Sequence, residues 1–441
     1  MSQMQSETVT AGTLDPSFGK NGVVEIEEWR AVLYSVLPMN GKLVCADQYR
    51  RDGDGVGVVS MRLRRMDDRG VFDTSFGDNG STILPIHWSV APRCGLFPYS
   101  EGKFLVKGTY LDEMGQRDMV VARLNKDGQL DTNFGEEGYK KIDPYRLFSR
   151  DAASLRSRKS FPPRKNVDNT SEAKSLTMAA GYIGGSVCVQ KDGRILVAHS
   201  GIYGQDNGRY WVRGLLIRLT PDGKYDTTFG DGGKLLINLD GLDHEVISIA
   251  LTDEEKILVF GSYLEDDSEN SALNAFVIRL EKDGKRDRSF NGQKFVIKND
   301  ELKHIRAGTI SVRNSDGAIV VAGSAAKTHD FGLPSTPWIA VLNANGSPNL
   351  GFNAGKPLFS SILPDGGFWQ NCAWQENNNT ILVARSVAAR YLPTGQLDTS
   401  FNGKGWFHHK STYHHMALTE DSKLVLIGNE GGYPFVLRSL L

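Results

Sequence analysis

One short segment returns seven times along this chain and limits the folds available to it. GTLDPSFGKNG, beginning at Gly12, recurs as GVFDTSFGDNG, GQLDTNFGEEG and GKYDTTFGDGG, then more loosely as GKRDRSFNGQK, GSPNLGFNAGK and GQLDTSFNGKG. A phenylalanine follows a glycine by six residues in every copy: Phe18, Phe76, Phe134, Phe229, Phe290, Phe352 and Phe401. Regular repetition predicts a fold assembled from like units.

Two further signatures alternate with this motif. One is a turn followed by a short apolar run, as in NGKLVCA, EGKFLVKG, DGRILVAHS, DEEKILVFG, DGAIVVAGS, NNTILVAR and DSKLVLIG. The other is an apolar segment that often ends in Arg-Leu, such as VVARL and FVIRL. Each unit is therefore typical of four short strands joined by Gly, Asn and Asp turns. Glycine makes up 48 of 441 residues, which agrees with many tight turns.

Four strands per unit and seven units predict an all-β fold, a seven-bladed β-propeller of four-stranded antiparallel blades. One ring would use residues 1–441 as a single domain. The last unit ends in an Arg-bearing strand without a following motif, whereas the chain begins with a motif and one strand, residues 22–26. We therefore expect the N-terminal strand to complete the last blade and close the ring without a covalent bond.

The unit G-x-L-D-x-x-F-G-x-x-G … D-G-K-I-L-V-A-G … V-x-R-L resembles the delta-60 repeat family of bacterial β-propeller proteins. The resemblance covers nearly the whole chain, with a weaker copy around Phe352 and a shortened unit between Ile381 and Leu392. It implies the propeller fold. It implies no common activity and no catalytic residues.

An arginine precedes the motif aspartate in most units. Arg62, Arg123, Arg218, Arg279 and Arg390 lie eight residues before Asp73, Asp131, Asp226, Asp287 and Asp398, except that the first pair is eleven apart. In one unit the two positions hold Val341 and Asn349. Closure of the ring would give Arg438 the partner Asp15. We predict a repeated ion pair; calcium binding is the weaker alternative, because one carboxylate per turn falls far short of six to eight oxygen ligands.

The turns within each unit repeat, whereas the loops at the other face vary in length, so that variable face is the expected recognition surface. Its largest element is a basic insertion at residues 143–175, with Arg146, Arg150, Arg156, Arg158, Lys159, Arg164 and Lys165. It is either a solvated loop or a docking segment for an acidic partner or anionic ligand. Nucleic acid is not expected, because the net charge is −1 and stacking aromatics are sparse.

Aromatic residues recur shortly after the fourth strand of several units: Trp29, Trp88, Tyr145, Trp369 and Tyr413. A ring of aromatic side chains could stack on sugars or anchor a protein partner. The alternative is that these side chains wedge between neighbouring blades.

Four histidines, His408, His409, His414 and His415, form the cluster HHKSTYHH. They are weak candidates for metal ligands, because adjacent strand residues point to opposite faces and a metal would need a carboxylate from elsewhere. A surface loop is the favoured interpretation.

No hydrolase, zinc-protease, P-loop or dinucleotide motif occurs in its required context, and the four cysteines form no C-x-x-C pair. The expected function is a non-catalytic scaffold without a cofactor that binds a macromolecule, with a protein as the expected partner, through the variable face and the basic insertion. The alternatives are a carbohydrate-binding propeller, with or without hydrolysis, and a metal-dependent channel enzyme.

The first residues, MSQMQSETVT, are polar and lack the apolar stretch of a secretory signal. We therefore expect a cytoplasmic protein without a membrane span, and export by a signal-independent route stays open.

Overall fold

A computed structural model describes most of the chain. The described residues are 10–28, 31–49, 60–85, 94–100, 102–111, 117–143, 186–206, 209–266, 271–328, 335–363, 366–409 and 412–441.

Short strands make up the regular structure of these ranges, together with single-turn 3₁₀ helices at Asn291–Gln293, Asn353–Gly355 and Glu376–Asn378. The strands are β1 (Val23–Glu25), β2 (Leu33–Met39), β3 (Lys42–Tyr49), β4 (Ser60–Met66), β5 (Ser81–Ile83), β6 (Cys94–Pro98), β7 (Phe104–Leu111), β8 (Arg117–Leu124), β9 (Tyr139–Ile142), β10 (Val187–Val189), β11 (Ile195–Asp206), β12 (Arg209–Leu219), β13 (Lys234–Leu236), β14 (His244–Leu251), β15 (Ile257–Leu264), β16 (Leu273–Leu280), β17 (Phe295–Ile297), β18 (His304–Val312), β19 (Ile319–Ala326), β20 (Thr336–Leu342), β21 (Leu358–Phe359), β22 (Asn371–Gln375), β23 (Thr380–Ala384), β24 (Ala388–Tyr391), β25 (Trp406–Phe407), β26 (Tyr413–Leu418), β27 (Leu424–Glu430) and β28 (Tyr433–Ser439).

In the described ranges these strands form five four-stranded antiparallel sheets and one eight-stranded sheet. We number them along the chain: sheet I (β2–β5), sheet II (β6–β9), sheet III (β10–β13), the eight-stranded sheet IV (β14–β21), sheet V (β22–β25) and sheet VI (β26, β27, β28 and β1). The fold is an all-β propeller.

The prediction of seven separate four-stranded blades is wrong, since the structure has five. Strands β14–β17 and β18–β21 do not stand apart, because β16 and β18 pair in parallel at Leu273 and His304. The Leu273 amide also donates a hydrogen bond to the Lys303 carbonyl, at 3.0 Å. This parallel bridge joins two repeat units into one sheet. The repeated motif gives the number of units in the sequence, but it does not predict that strands of two neighbouring units will pair with each other.

The N-terminal strand does complete the last sheet. Strand β1 pairs antiparallel with β28, with Val24 opposite Val436. The Asn402 amide donates to the Ala11 carbonyl at 2.7 Å, so the first and last motifs are also joined. Closure of the two chain ends is therefore confirmed, and it pairs an edge that would otherwise be open.

Neighbouring units pack through the motif phenylalanines. All seven are at most 1% exposed. The glycine six residues before each phenylalanine lies against the phenylalanine of the preceding motif. At Gly128 (φ +84°), an added Cβ would lie 2.6 Å from the Phe76 ring, and at Gly12 (φ +83°) it would lie 3.0 Å from the Phe401 ring. These positions need glycine both for the backbone conformation and for the space.

The motif aspartates bind arginine at the same places. The arginine Nε–aspartate Oδ2 distances are 2.7–2.9 Å, and each guanidinium lies 4.6–5.0 Å from the centre of the motif phenylalanine ring. We call this arrangement the clamp. Its arginine–aspartate pairs are Arg65–Asp73, Arg123–Asp131, Arg218–Asp226, Arg279–Asp287, Arg390–Asp398 and Arg438–Asp15.

The clamp also reaches beyond its own unit. Four of its arginines donate to a backbone carbonyl two residues before the glycine of the following motif: Lys126, Pro221, Lys282 and Ala344. Five of the aspartates bind a second cation at 2.7–3.2 Å: Lys42, Lys103, Arg194, Lys256 and Lys423. Each such aspartate therefore holds two cations, and in four of the five cases the arginine also reaches the neighbouring unit.

The repeated ion pair is confirmed with one correction. The partner of Asp73 is Arg65, eight residues earlier as in the other units, and not Arg62. In the unit of Phe352 all three charges are missing together, because Ala318, Val341 and Asn349 occupy the positions of the second cation, the arginine and the aspartate. Asn349 keeps the turn, accepting a hydrogen bond from the Gly351 amide at 3.0 Å, and its side-chain amide donates to the Asn343 side-chain carbonyl at 3.0 Å.

We expect Asp15→Ala to lower the free energy of unfolding by about 3–5 kcal/mol, because it leaves the buried Arg438 guanidinium without its carboxylate. The two side chains are 4% and 6% exposed. Urea denaturation measures the change. Asn349→Ala is the matched control and should cost about 1–2 kcal/mol, since it removes two hydrogen bonds between uncharged groups and no ion pair. Equal losses in the two variants would contradict a stabilising clamp at the closure.

The same aspartate predicts a dependence on pH. Burial alone would raise the pKa of Asp15, but hydrogen bonds from Ser17 and Lys423 and the charge of Arg438 lower it from 3.8 to about 2. A lowered pKa stabilises the fold above the ordinary value, and that stabilisation is lost as pH falls through the lowered one. The stability difference between wild type and Asp15→Asn should therefore be constant above pH 3.8 and shrink towards pH 2. Acid titrations of unfolding would show this, and a difference unchanged at low pH would contradict it.

Candidate functional site

The two faces of the ring differ in the described residues. In each unit the turn between the first and second strands and the turn between the third and fourth strands repeat; in sheet I these are residues 40–41 and 67–80. We call their side the constant face. The loops between the second and third strands, and between consecutive sheets, form the variable face.

Most residues predicted for recognition lie outside the described ranges. This holds for Trp29, Trp88, Tyr145 and the seven cations of the basic insertion, Arg146, Arg150, Arg156, Arg158, Lys159, Arg164 and Lys165. Their part in binding stays a prediction.

Trp369 and Tyr413 lie in the core, so the prediction that they help to form an aromatic rim needs correction. Both are 0% exposed. Trp369 packs with Phe352 and Trp374 between sheets IV and V, and the Tyr413 ring meets Phe435 edge to face. These two side chains match the alternative interpretation, in which aromatic residues wedge between neighbouring units.

The four histidines do not come together to form one site. His408 is exposed, and the His409 amide donates to the Tyr413 hydroxyl at 3.0 Å. His415 accepts a hydrogen bond from the Val36 amide at 3.3 Å, from sheet VI to sheet I. His414 contacts the Arg385 guanidinium, and burial and that charge lower its pKa to about 4. Among the described residues, no group of three or more His, Cys, Asp and Glu is placed to hold a metal ion.

Aligning the second strands of the seven units by their pairing with the third strands identifies a different set of polar residues. Four of these strands carry a glycine at one equivalent position: Gly108, Gly261, Gly323 and Gly428. The glycine makes room for a large side chain on the third strand, such as Phe276 opposite Gly261 or Trp338 opposite Gly323. In the other three units the position holds Asp47, His199 and Arg385. We call these the three polar exceptions; they lie on the half of the strand that leads to the variable face.

Asp47 is the centre of a buried ion cluster. It is 1% exposed and binds Arg62 through both carboxylate oxygens at 2.9 Å. Arg64 also binds Asp47, and both arginines bind Glu28, which follows the closing strand β1. Burial alone would raise the pKa of Glu28, but the two arginines keep it below its usual value. Two cations face two anions, so the cluster balances its own charge and joins sheet VI to sheet I.

His199 has a cationic neighbour, Lys107 of sheet II. The Lys107 ammonium donates to the Ala198 carbonyl at 3.0 Å, which joins sheets II and III. Burial lowers the pKa of Lys107 to about 8. Burial and the Lys107 charge lower the pKa of His199 to about 3. At neutral pH the pair is therefore one ammonium beside one neutral imidazole.

Arg385 begins the short connection between β23 and β24. Its guanidinium donates to the Gln370 side-chain carbonyl at 2.6 Å and to the Tyr413 carbonyl at 3.2 Å. It also stacks on Phe368, 4.9 Å from the ring centre. This arginine ties the loops of sheets V and VI together on the variable face.

Sequence reasoning missed the three polar exceptions, although their signal is visible in the repeat. The runs LVKG, LVFG, VVAG and VLIG end in glycine, whereas LVCAD, ILVAH and ILVAR end in the charged or polar residue. Finding them needed the register of the strands, because the turns before these runs differ in length.

Comparison with known proteins bears on the fold. Residues 100–134 match a family model described as a domain of unknown function (DUF5122) beta-propeller. That segment contains β7, β8 and the motif as far as Phe134, so it lies within one repeat unit. No curated protein matches the sequence.

Solved structures of similar fold have very different sequences. One is a protein of unknown function from Dyadobacter fermentans, at 11% identity over 97% of this chain and 100% of that chain, with a TM-score of 0.44. Another is the polysaccharide lyase Uly1, at 9% identity over 98% and 92%, with a TM-score of 0.48. A third is the beta-propeller domain of the Trilobed protease from Pyrococcus furiosus, at 8% identity over 94% of each chain, with a TM-score of 0.43. None of these likenesses bears on function.

No helix within the described ranges has the length and apolar character needed to cross a membrane.

We expect Asp47→Ala to lower the free energy of unfolding by about 3–5 kcal/mol, because two buried arginines would then face only Glu28. The double variant Asp47→Gly/Arg62→Phe introduces the glycine–aromatic pair that three other units have and should lose clearly less. Chemical denaturation of both variants measures this. A double variant as unstable as the single one would show that the cluster has a structural role that apolar packing does not replace.

Proposed function

We propose that this protein is a binding scaffold whose variable face recognises a protein partner with an acidic surface. In this proposal the propeller is a single domain over residues 1–441, with the basic insertion at 143–175 as its principal docking segment. The likeness of the repeat to the delta-60 family is part of the same proposal.

The observation that carries it is the contrast between the two faces. On the constant face, the same arginine–aspartate pair returns in unit after unit, and its two side chains are only a few per cent exposed. The three polar exceptions lie towards the variable face, and each has a different set of neighbours. A face that repeats the same ion pair in each unit offers a binding partner little specificity. A face whose units carry different polar residues on a rigid fold can distinguish one partner from another.

The sign of the charge supports an acidic partner. Between residues 144 and 165 the chain carries the seven cations named above against Asp151 alone. Complementary charge steers association and disfavours wrong partners. Sugar binding by an aromatic rim is less well supported, because two of its five residues, Trp369 and Tyr413, are in the core.

The proposal predicts that replacing residues 144–175 with a short Gly/Ser linker abolishes capture of a specific partner from lysate. The physical reason is loss of the cations that would pair with its acidic surface. Affinity capture with quantitative mass spectrometry measures the loss, and melting curves establish that both proteins are folded.

Lys224→Glu is the matched control, since Lys224 is an 81% exposed cation on the constant face; this variant should capture the partner like wild type. Capture retained after loop replacement would assign recognition to the other loops and overturn the role of the insertion. No specific partner for wild type would contradict the scaffold itself.

A further inference from the structure

Lys107 occupies a position that is apolar in every other unit. The strand register aligns it with Ala46, Ala198, Phe260, Ala322, Ala384 and Ile427. Those side chains are at most 2% exposed. Replacing such a residue with lysine removes apolar packing and takes a cation out of water, which costs stability. Because the lysine lowers stability and the other units do without it, folding does not explain Lys107, and a functional explanation is needed.

The cation has no counter-ion among the described residues. No ion pair there includes Lys107; its hydrogen bond goes to the uncharged Ala198 carbonyl. Lys103, at the start of the same strand region, shows the contrast: its ammonium lies 3.1 Å from Asp131. An ammonium has three donors, so a single carbonyl leaves part of the donor capacity of Lys107 unused.

His199 adds a second polar group beside the ammonium. It is one of the three polar exceptions, so it too departs from the repeat at this junction. As a neutral imidazole it carries one N–H donor and one acceptor. Both residues keep intermediate exposure, so this junction is half-buried and not sealed from solvent.

We infer that Lys107 and His199 form a binding site for a carboxylate group at the junction of sheets II and III. The ammonium supplies the charge, and the imidazole N–H supplies a second donor for the other carboxylate oxygen. One carboxylate balances the single positive charge. A phosphate dianion would leave a surplus negative charge in the same half-buried place, and a metal cation would be repelled by Lys107. The carboxylate can belong to a small molecule or to an acidic side chain of a protein, and the inference does not depend on the partner proposed above.

Reductive methylation with formaldehyde and borohydride, at a pH near the pKa of Lys107, tests this inference. The reagent modifies the neutral amine, and a bound carboxylate stabilises the ammonium. Succinate or acetate should therefore slow modification of Lys107 several-fold in the wild-type protein. Lys103 in the same sample is the internal control, because its ammonium is already paired with Asp131, and its rate should not change.

Lys107→Met supplies the second readout. Methionine restores the apolar character of the other units, so this variant should fold and be at least as stable as wild type. Succinate should raise the melting temperature of wild type and leave that of Lys107→Met unchanged, because a ligand stabilises only the protein that binds it. His199→Leu should reduce the protection of Lys107.

Three outcomes would overturn the inference: Lys107 that is not modified even without ligand, protection no greater at Lys107 than at Lys103, or protection by inorganic phosphate and not by carboxylates. A glutamate-rich peptide distinguishes the two sources. Protection of Lys107 by the peptide and not by succinate would assign the carboxylate to a protein side chain, and the reverse would assign it to a small molecule.

Discussion

A guanidinium held between a carboxylate and the face of a buried phenylalanine recurs around the ring, and the junctions between units depend on it. The arginine donates to its own aspartate and, in four units, to a backbone carbonyl just before the next motif. The same phenylalanine packs against the glycine of that next motif, so apolar contact and ion pair meet at one place. A buried ion pair adds little net stability over apolar residues, but it penalises any arrangement that separates its members. The clamp therefore specifies which units are neighbours, and the phenylalanine supplies most of the favourable burial.

The unit of Phe352 separates these two contributions. It lacks all three clamp charges, yet Phe352 is 1% exposed, and a Cβ added at Gly395 would still lie 3.5 Å from its ring. Apolar packing alone is thus sufficient at one junction. The charges at the closure matter more, because β1 reaches β28 from the far end of the chain, and Asp15 and Glu28 both lie on that N-terminal segment. Binding of Asp15 to Arg438 and of Glu28 to Arg62 and Arg64 holds the segment on both sides of β1.

The sequence predicted what local pattern and repetition can express: short strands, glycine turns, the closing strand and the Arg–Asp pair. Prediction from the sequence failed for those contacts that depend on the register of paired strands or on packing between different units. Arg62 and Arg65 are both plausible partners for Asp73 by composition, and only the strand pairing shows that Arg62 faces Asp47. The bridge between Leu273 and His304 merges two units without any motif of its own. Trp369 and Tyr413 resemble loop aromatics by position, but the depth at which they pack is a property of the assembled ring. The candidate site was hidden for the same reason, since His199 and Lys107 come from different units.

Charge balance separates the three polar exceptions into structural and functional kinds. The Asp47 cluster contains its own counter-ions and lies at the closure, so the fold itself explains it. Arg385 is used in joining two loops through Gln370 and the Tyr413 carbonyl. The pair of His199 and Lys107 is different, because Lys107 places a cation at a position that is apolar in the other units. Its ammonium donates to the uncharged Ala198 carbonyl, whereas a carboxylate would be needed to balance its charge. A repeat protein offers an internal reference that a single copy lacks: the other units show what the position requires for folding alone. Measured against that reference, the Lys107 charge is unnecessary for the fold, and a ligand that brings the missing anion accounts for it.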